Sequence, residues 1–178
     1  MKTLICVFLL LQTVNMIHCQ DASKLYRSDK NRVYYIEHEQ FHDWFQALTA
    51  CARMKMNLLT LETREKSDDV NSLVLKTFGK SIRLWVGAYA VGPTHQFTWI
   101  SNGNPFVYSF WNPNQPDFVG KQEFCAHIGW GKEMQWNDHQ CSYKCGFVCE
   151  YPNKQSELGD LERNRKYSGL SFQINNLH

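Results

Sequence analysis

The stretch Gln115–Asp138 reads QPDFVGKQEFCAHIGWGKEMQWND and carries oxygen-bearing side chains near both of its ends. Five of them suit a hard cation, and they comprise two amides and three carboxylates: Gln115, Asp117, Glu123, Asn137 and Asp138. Calcium takes about six to eight oxygens at roughly 2.3–2.6 Å, from carboxylates, side-chain amides and backbone carbonyls. The set contains none of the thiolates and imidazoles that zinc prefers. The stretch therefore predicts a calcium site built from two loops.

The spacing of residues around this stretch makes the prediction specific. Glu123 lies eight residues after Gln115, and Cys125 follows two residues later. The tripeptide Trp136-Asn137-Asp138 ends three residues before Cys141. With these motifs the chain resembles the C-type lectin family, and in particular its small secreted galactose-type members found in insects. The resemblance covers about residues 32 to 151.

The resemblance implies that the five side chains are all calcium ligands, with the main-chain carbonyl of Asp138 as a further one. It also implies a cis bond before Pro116, which aims the two flanking side chains at the metal. In the family, two neighbouring sugar hydroxyls coordinate the calcium directly and hydrogen-bond to the amides and carboxylates around it. We expect a single calcium ion, because no acidic residue between Asp69 and Asp117 is present to build an auxiliary site.

The order of acid and amide in the tripeptide implies a sugar class. Family members with Glu-Pro-Asn tend to bind mannose-like sugars, and those with Gln-Pro-Asp tend to bind galactose-like ones. This chain has Gln115-Pro116-Asp117, so the resemblance implies galactose or N-acetylgalactosamine on cell or microbial surfaces. An aromatic ring often packs on the apolar face of galactose. Phe118 is the first candidate for that role and Trp130 a weaker one, although Phe118 could equally be a loop anchor that packs inward.

Five of the seven cysteines lie beyond the N-terminal region: Cys51, Cys125, Cys141, Cys145 and Cys149. In an oxidising compartment most of them should be paired, but the sequence itself does not assign the pairs. The resemblance implies the pairs Cys51–Cys149 and Cys125–Cys141. Cys145 is then left over, and we expect a buried free thiol. The alternative is an interchain disulfide that would make a covalent homodimer.

The first residues have the pattern of an export signal. Lys2 supplies a positive charge, residues 4–11 are apolar but too short to span a bilayer, and Ile17-His18-Cys19 suits cleavage. We therefore expect a soluble, secreted, extracellular protein. The expected divisions are a signal peptide at 1–19, an N-terminal segment at 20–31, a lectin-like domain at 32–151 and a polar tail at 152–178.

Hydrophobic periodicity predicts two helices, at 40–56 and between the caps Thr63 and Gly79. We expect the aromatic stripe of the first helix to be buried: Phe41, Trp44, Phe45, Leu48 and Cys51. Strands are predicted at 32–36, 84–88, 97–100, 124–128, 134–136 and 146–150, with a long irregular loop after Ser101. This is an α+β pattern, which the resemblance narrows to two helices and small antiparallel sheets around a calcium-binding loop region.

Some residues are expected to have ordinary roles. Trp85, Trp99 and Trp136 should lie in the core. Asp68 and Asp69 fall off the apolar stripe of the second helix, so we expect both to be solvated. His127 and His139 flank the candidate site as surface residues without an assigned role, and the segment 158–167 could form a short helix.

Composition and motifs exclude several classes of function. A formal net charge of +2 and the lack of a basic stripe argue against nucleic-acid binding. Nucleophile-elbow, zinc-protease and phosphate-loop motifs are absent from the sequence, so we expect no enzyme. Asp117 and Glu123 could be imagined as a glycosidase pair, but they serve better as metal ligands. The remaining alternative is a protein-binding module of the same fold that does not bind sugar through calcium.

Overall fold

The computed structural model describes residues 24–91 and 95–152. The expected signal peptide and the possible helix at 158–167 lie outside these ranges, as does most of the expected tail. The described part contains two α-helices, α1 (Trp44–Arg53) and α2 (Arg64–Phe78). Its strands are β1 (Leu25–Arg27), β2 (Val33–His42), β3 (Asn57–Leu58), β4 (Leu84–Val91), β5 (Gln96–Trp99), β6 (Glu123–Trp130), β7 (Gln135–Gln140) and β8 (Cys145–Glu150). Neither of these helices is long and apolar enough to cross a bilayer.

The strands form a hydrogen-bonded network in the order β1-β2-β8-β4-β6-β7, with β3 paired to β8 and β5 paired to β4. The α+β class is therefore confirmed. Most neighbouring strands are antiparallel, but β4 and β8 are parallel, with Leu84 opposite Gly146 and Trp85 opposite Phe147. The last strand thus lies between an early strand and a central one. Residues 25–27, expected to precede the domain, add β1 to the edge of β2.

The first helix is shorter than the sequence predicts. Strand β2 continues to His42, and Asp43 then caps α1 by accepting a 2.8 Å hydrogen bond from the backbone N–H of Gln46. Trp44 is buried, but Phe41 is 70% exposed and Phe45 is 56% exposed, so the expectation of a fully buried stripe is wrong for these two rings. Phe41 belongs to the strand, where the helical period does not apply. Phe45 follows Trp44 directly and therefore points about 100° away from it around the helix axis.

The second helix has the predicted caps. Thr63 accepts a hydrogen bond from the backbone N–H of Lys66, and Gly79 ends the helix in the left-handed region at φ 69°. Its apolar side packs on the sheet through Val70 and Val74, which are both fully buried. Packing of this face is what gives such a helix most of its stability.

Asp69 is buried rather than solvated, which corrects the sequence-based expectation. Its Oδ2 accepts a hydrogen bond of 2.8 Å from the Ser28 hydroxyl and lies 3.5 Å from an Arg32 nitrogen. The partner residues stand about forty positions earlier in the chain, where no local pattern could reveal them. Asp69 therefore ties the β1–β2 turn to the face of α2.

The disulfides are those that the resemblance implied. Cys51–Cys149 joins α1 to β8, and Cys125–Cys141 joins β6 to the turn after β7. Within the described ranges, Cys145 is a free and fully buried cysteine. It packs in the smaller of two apolar clusters, between α1 and the sheet, while Trp99 and Trp136 lie in the larger cluster on the α2 side. Burial in the core favours the free thiol over the interchain disulfide.

Replacing Asp69 by Ala should lower the free energy of unfolding by about 1–3 kcal/mol, because the buried Ser28 hydroxyl loses its acceptor. Asp68→Ala is the matched control, since Asp68 is exposed on the same turn of α2 and its ion pair with Arg64 contributes at most about 0.5 kcal/mol. Both variants gain the same helix propensity, so the difference between them isolates the buried contacts. Denaturant unfolding measures it, and equal stabilities would contradict the assignment.

Cys145 should resist alkylation in the native protein. Burial raises the pKa of its thiol to about 12, so at pH 8 roughly one thiol in ten thousand is ionised and the reactive thiolate is also out of reach of the reagent. Mass spectrometry after iodoacetamide treatment should find this residue modified in denaturant and unmodified in native buffer. Rapid native labelling, or a dimer band on a non-reducing gel, would show that the thiol is accessible.

Candidate metal centre

The long loop between β5 and β6 is anchored on β7. The backbone N–H of Trp136 donates to the carbonyl of Phe110, and the N–H of Asn112 donates to the carbonyl of Trp136, at 2.8 and 2.9 Å. Beyond these contacts the loop turns back through Asn114 at φ 67°, a left-handed conformation that asparagine tolerates. The loop therefore brings the tripeptide at 115–117 next to the Asn137-Asp138 pair.

Asp138 holds the returning loop in place. Its two carboxylate oxygens accept hydrogen bonds from the backbone N–H groups of Asp117, at 3.2 Å, and of Phe118, at 2.9 Å. The N–H of Val119 donates in turn to Glu123 Oε2 at 3.2 Å. Sequence reasoning missed these main-chain donors, because every residue except proline has an N–H and only the fold decides where it points.

Three carboxylates converge in this region. Oxygen atoms of Asp117, Glu123 and Asp138 all lie within 4.8 Å of one another. Burial, together with the nearby charges of Asp138 and Asp117, raises the pKa of Glu123 to about 7. Burial also raises the pKa of Asp138, against the effect of its backbone hydrogen bonds. The arrangement concentrates negative charge that a cation would neutralise.

The two amides, of Gln115 and Asn137, complete a set of candidate oxygen ligands. Gln115 Nε2 donates to Asp117 Oδ2 at 3.1 Å, while Gln115 Oε1 is buried without a hydrogen-bond partner in the part of the chain that the structure describes. A buried amide oxygen without a partner is costly, so it fits the position of a ligand. The Asn137 side chain lies against the main-chain carbonyl of Asp138. The carboxylate and amide oxygens of this cluster suit a hard divalent cation such as calcium.

The peptide bond between Gln115 and Pro116 is cis. Pro116 separates the amide of Gln115 from the carboxylate of Asp117, and the two side chains are joined by their hydrogen bond on one side of the loop. The tripeptide thus presents an amide and an acid together, as the resemblance implied.

The two aromatic candidates are placed differently from each other. Phe118 directly adjoins the carboxylates, but its ring packs at 5.7 Å from Phe97 and 4.6 Å from His95, on the edge of the core. These two ring contacts favour the role of loop anchor for Phe118 over that of a ring that packs on the sugar. Trp130 stands at the far end of β6 from Glu123, and the guanidinium of Arg83 covers its ring at 4.7 Å. The structure therefore does not bring Trp130 to the carboxylate cluster.

The histidines near the site are not equivalent. His127 is fully buried beside Trp85, which corrects the expectation of a surface residue, and burial lowers the pKa of its imidazole to about 3. It faces inward because β6 is buried on both faces at this point. His139 is partly exposed, with Nδ1 at 3.8 Å from Glu123 Oε1.

Comparison with protein families places the chain. The profile of the lectin C-type domain matches residues 40–151. Lectin subunit alpha of Sarcophaga peregrina is 34% identical over 155 residues, which cover 84% of this chain and 54% of that protein. The chain thus spans about half the length of this relative.

Two further relatives agree with the profile. The galactose-specific lectin nattectin of Thalassophryne nattereri is 31% identical over 112 residues, covering 63% of this chain and 69% of that protein. A solved structure of SPL-1 in complex with GlcNAc is 26% identical, has a TM-score of 0.59, and is aligned over 74% of this chain and 95% of its own. The chain therefore belongs to the C-type lectin family and carries its lectin C-type domain.

Proposed function

We propose that this chain is a secreted, calcium-dependent lectin that binds galactose-type sugars at the carboxylate cluster. The observation that carries the proposal is the convergence of Asp117, Glu123 and Asp138 within 4.8 Å, beside a Gln115 oxygen that has no hydrogen-bond partner among the described residues. Without a cation this arrangement places like charges together and leaves a buried amide oxygen unsatisfied. With a divalent cation both costs are relieved.

The side chains around the cluster could recognise two adjacent hydroxyls. A carboxylate accepts a hydrogen bond from a hydroxyl, and an amide N–H donates one to its oxygen. Gln115 and Asp117 offer this pair on the loop, and Asn137 and Glu123 offer it on the strands. A bound calcium ion would supply two coordination positions for the hydroxyl oxygens.

The acid and amide order supports galactose or N-acetylgalactosamine as the sugar. Exchanging acid and amide between Gln115 and Asp117 would reverse the direction of each hydrogen bond that the loop offers. A relative that is named galactose-specific supports this class, while the relative crystallised with GlcNAc shows that other hydroxyl arrangements occur among similar proteins. The proposal does not depend on Phe118, because that ring is already engaged in packing.

Secretion is supported by the signal-like N-terminus and by the two disulfides, which form in oxidising compartments. We place the ligands on cell or microbial surfaces, where repeated sugars allow several weak contacts to add. Binding, rather than enzymatic turnover, is the proposed activity. The rival function is a protein-binding module that makes no use of calcium, and the two differ in their response to the ion.

Calcium should raise the free energy of unfolding, by about 2.7 kcal/mol when its concentration is a hundred times the dissociation constant. Glu123→Gln should lose most of this gain, since it removes one of the three converging carboxylates, while its stability in chelator should be unchanged or higher because charge repulsion falls. Glu133→Gln, an exposed change in the β6–β7 turn, is the control and should respond as the original protein does. Thermal unfolding with calcium and with chelator measures both effects.

Two results would count against the metal site. If calcium does not change the free energy of unfolding of the unmutated protein, the protein-binding alternative is supported. An equal calcium response in Glu123→Gln would show that the ion binds elsewhere.

Exchanging acid and amide, by Gln115→Glu together with Asp117→Asn, should reverse the sugar preference from galactose towards mannose by at least about tenfold. The number of acids and amides stays the same, so calcium-induced stabilisation in this variant is the internal control. Retention on immobilised galactose and mannose, each eluted with chelator, measures the preference. An unchanged preference in a variant that still binds calcium would assign selectivity to the surrounding loop.

A further inference from the structure

A second groove, distinct from the carboxylate cluster, lies between the end of α2, strand β2 and the turn after β7. Its volume is about 490 Å³, within the usual range for small-ligand sites. Its lining includes three permanent cations and three aromatic rings, which are Lys80, Arg83, Lys144, His38, Phe78 and Tyr143. No Asp or Glu lines it in the part of the chain that the structure describes. We refer to it as the basic groove.

Two of the three cations are not neutralised. In residues 24–91 and 95–152, no carboxylate forms an ion pair with Lys80 or Arg83, whereas Lys144 lies 3.0 Å from Asp43. The carboxyl end of α2 contributes roughly half of a negative charge at the same rim, which is small beside the full charges of the cations. The basic groove therefore has a positive potential that an anionic group would relieve.

Arg83 is held in a fixed orientation. Its guanidinium stacks at 4.7 Å on Trp130, and Nη1 donates a 2.5 Å hydrogen bond to the hydroxyl of Tyr143. A guanidinium that is already oriented loses little freedom when it binds, and its planar set of donors matches two oxygens of a sulfate or phosphate ester. Lys80, by contrast, is exposed and supplies a mobile charge.

The basic groove is connected to the carboxylate cluster through stacked rings. Tyr143 stacks on His139 with ring centroids 4.0 Å apart, and His139 approaches Glu123 within 3.8 Å. The two sites are therefore neighbours with opposite charge. A ligand rich in sulfate would be repelled by the carboxylates and attracted by the basic groove, so the two sites select different chemical groups.

We propose that the basic groove is a second binding site, which takes the sulfate esters of an acidic polysaccharide. Arg83 and Lys80 hold the sulfate oxygens through charge-assisted hydrogen bonds. This site needs no metal ion. Its binding is therefore independent of the calcium-dependent function proposed above, and each can fail without the other.

The test compares dextran sulfate with unsulfated dextran in chelator, on the full chain. We expect binding to dextran sulfate only, unaffected by chelator or free galactose, and weakening as salt is added. Lys80→Gln together with Arg83→Gln should raise the dissociation constant at least about tenfold and reduce the dependence of log affinity on log salt by roughly one to two. The control is Arg53→Gln with Lys55→Gln, which removes two charges at the exposed end of α1 and should change neither quantity.

Two single variants separate loss of binding from misfolding and from a simple change in charge. Lys80→Gln by itself changes only an exposed side chain, so its expected loss of several-fold in affinity does not depend on refolding around Arg83. Arg83→Lys, which keeps the charge but loses the planar donors, should fall between the original and the double variant. Equal loss in the control pair, or equally tight binding of polyglutamate, would overturn the proposal. Loss of galactose binding in chelator bears only on the calcium site.

Discussion

Three carboxylates that repel one another are held within 4.8 Å, and this constraint shapes the surrounding structure. Such a cluster stays together only if the backbone around it cannot relax. The Cys125–Cys141 disulfide closes the two strands beside it, and the Asp138 carboxylate accepts two main-chain hydrogen bonds from the opposing loop. Burial, together with the nearby charges of Asp138 and Asp117, raises the pKa of Glu123, and protonation would remove one of the repelling charges.

The sheet supports the strands and loops that carry these carboxylates. Strand β8 lies between β2 and β4, so the end of the domain is paired with its beginning. Cys51–Cys149 adds a covalent link between the same strand and α1. The long loop can therefore remain irregular, since backbone hydrogen bonds attach it to β7 at Trp136.

The distribution of charge separates two proposed binding sites on one small domain. The carboxylate cluster is negative and is proposed to hold a cation and sugar hydroxyls, whereas the basic groove is positive and is proposed to hold anions. They are joined by the stacked rings of His139 and Tyr143, yet each keeps its own sign of potential. A formal net charge of +2 conceals this separation, because opposite charges cancel in the sum while they remain apart in space.

From residue type and spacing along the chain, the sequence by itself determined the family, the presence of two helices, the caps of the second helix and the cysteines available for disulfides, and it predicted secretion and a short list of oxygen ligands. It did not determine that Asp69 is buried, that Phe41 and Phe45 are exposed, or that Trp130 is covered by Arg83. Each of these depends on a residue far away in sequence or on the exact start of a helix. Only the tertiary structure decided which side chains face one another, because burial and charge pairing are properties of positions in space. The basic groove belongs to this second class, since Arg83 and Lys144 are sixty-one positions apart and meet only in the fold.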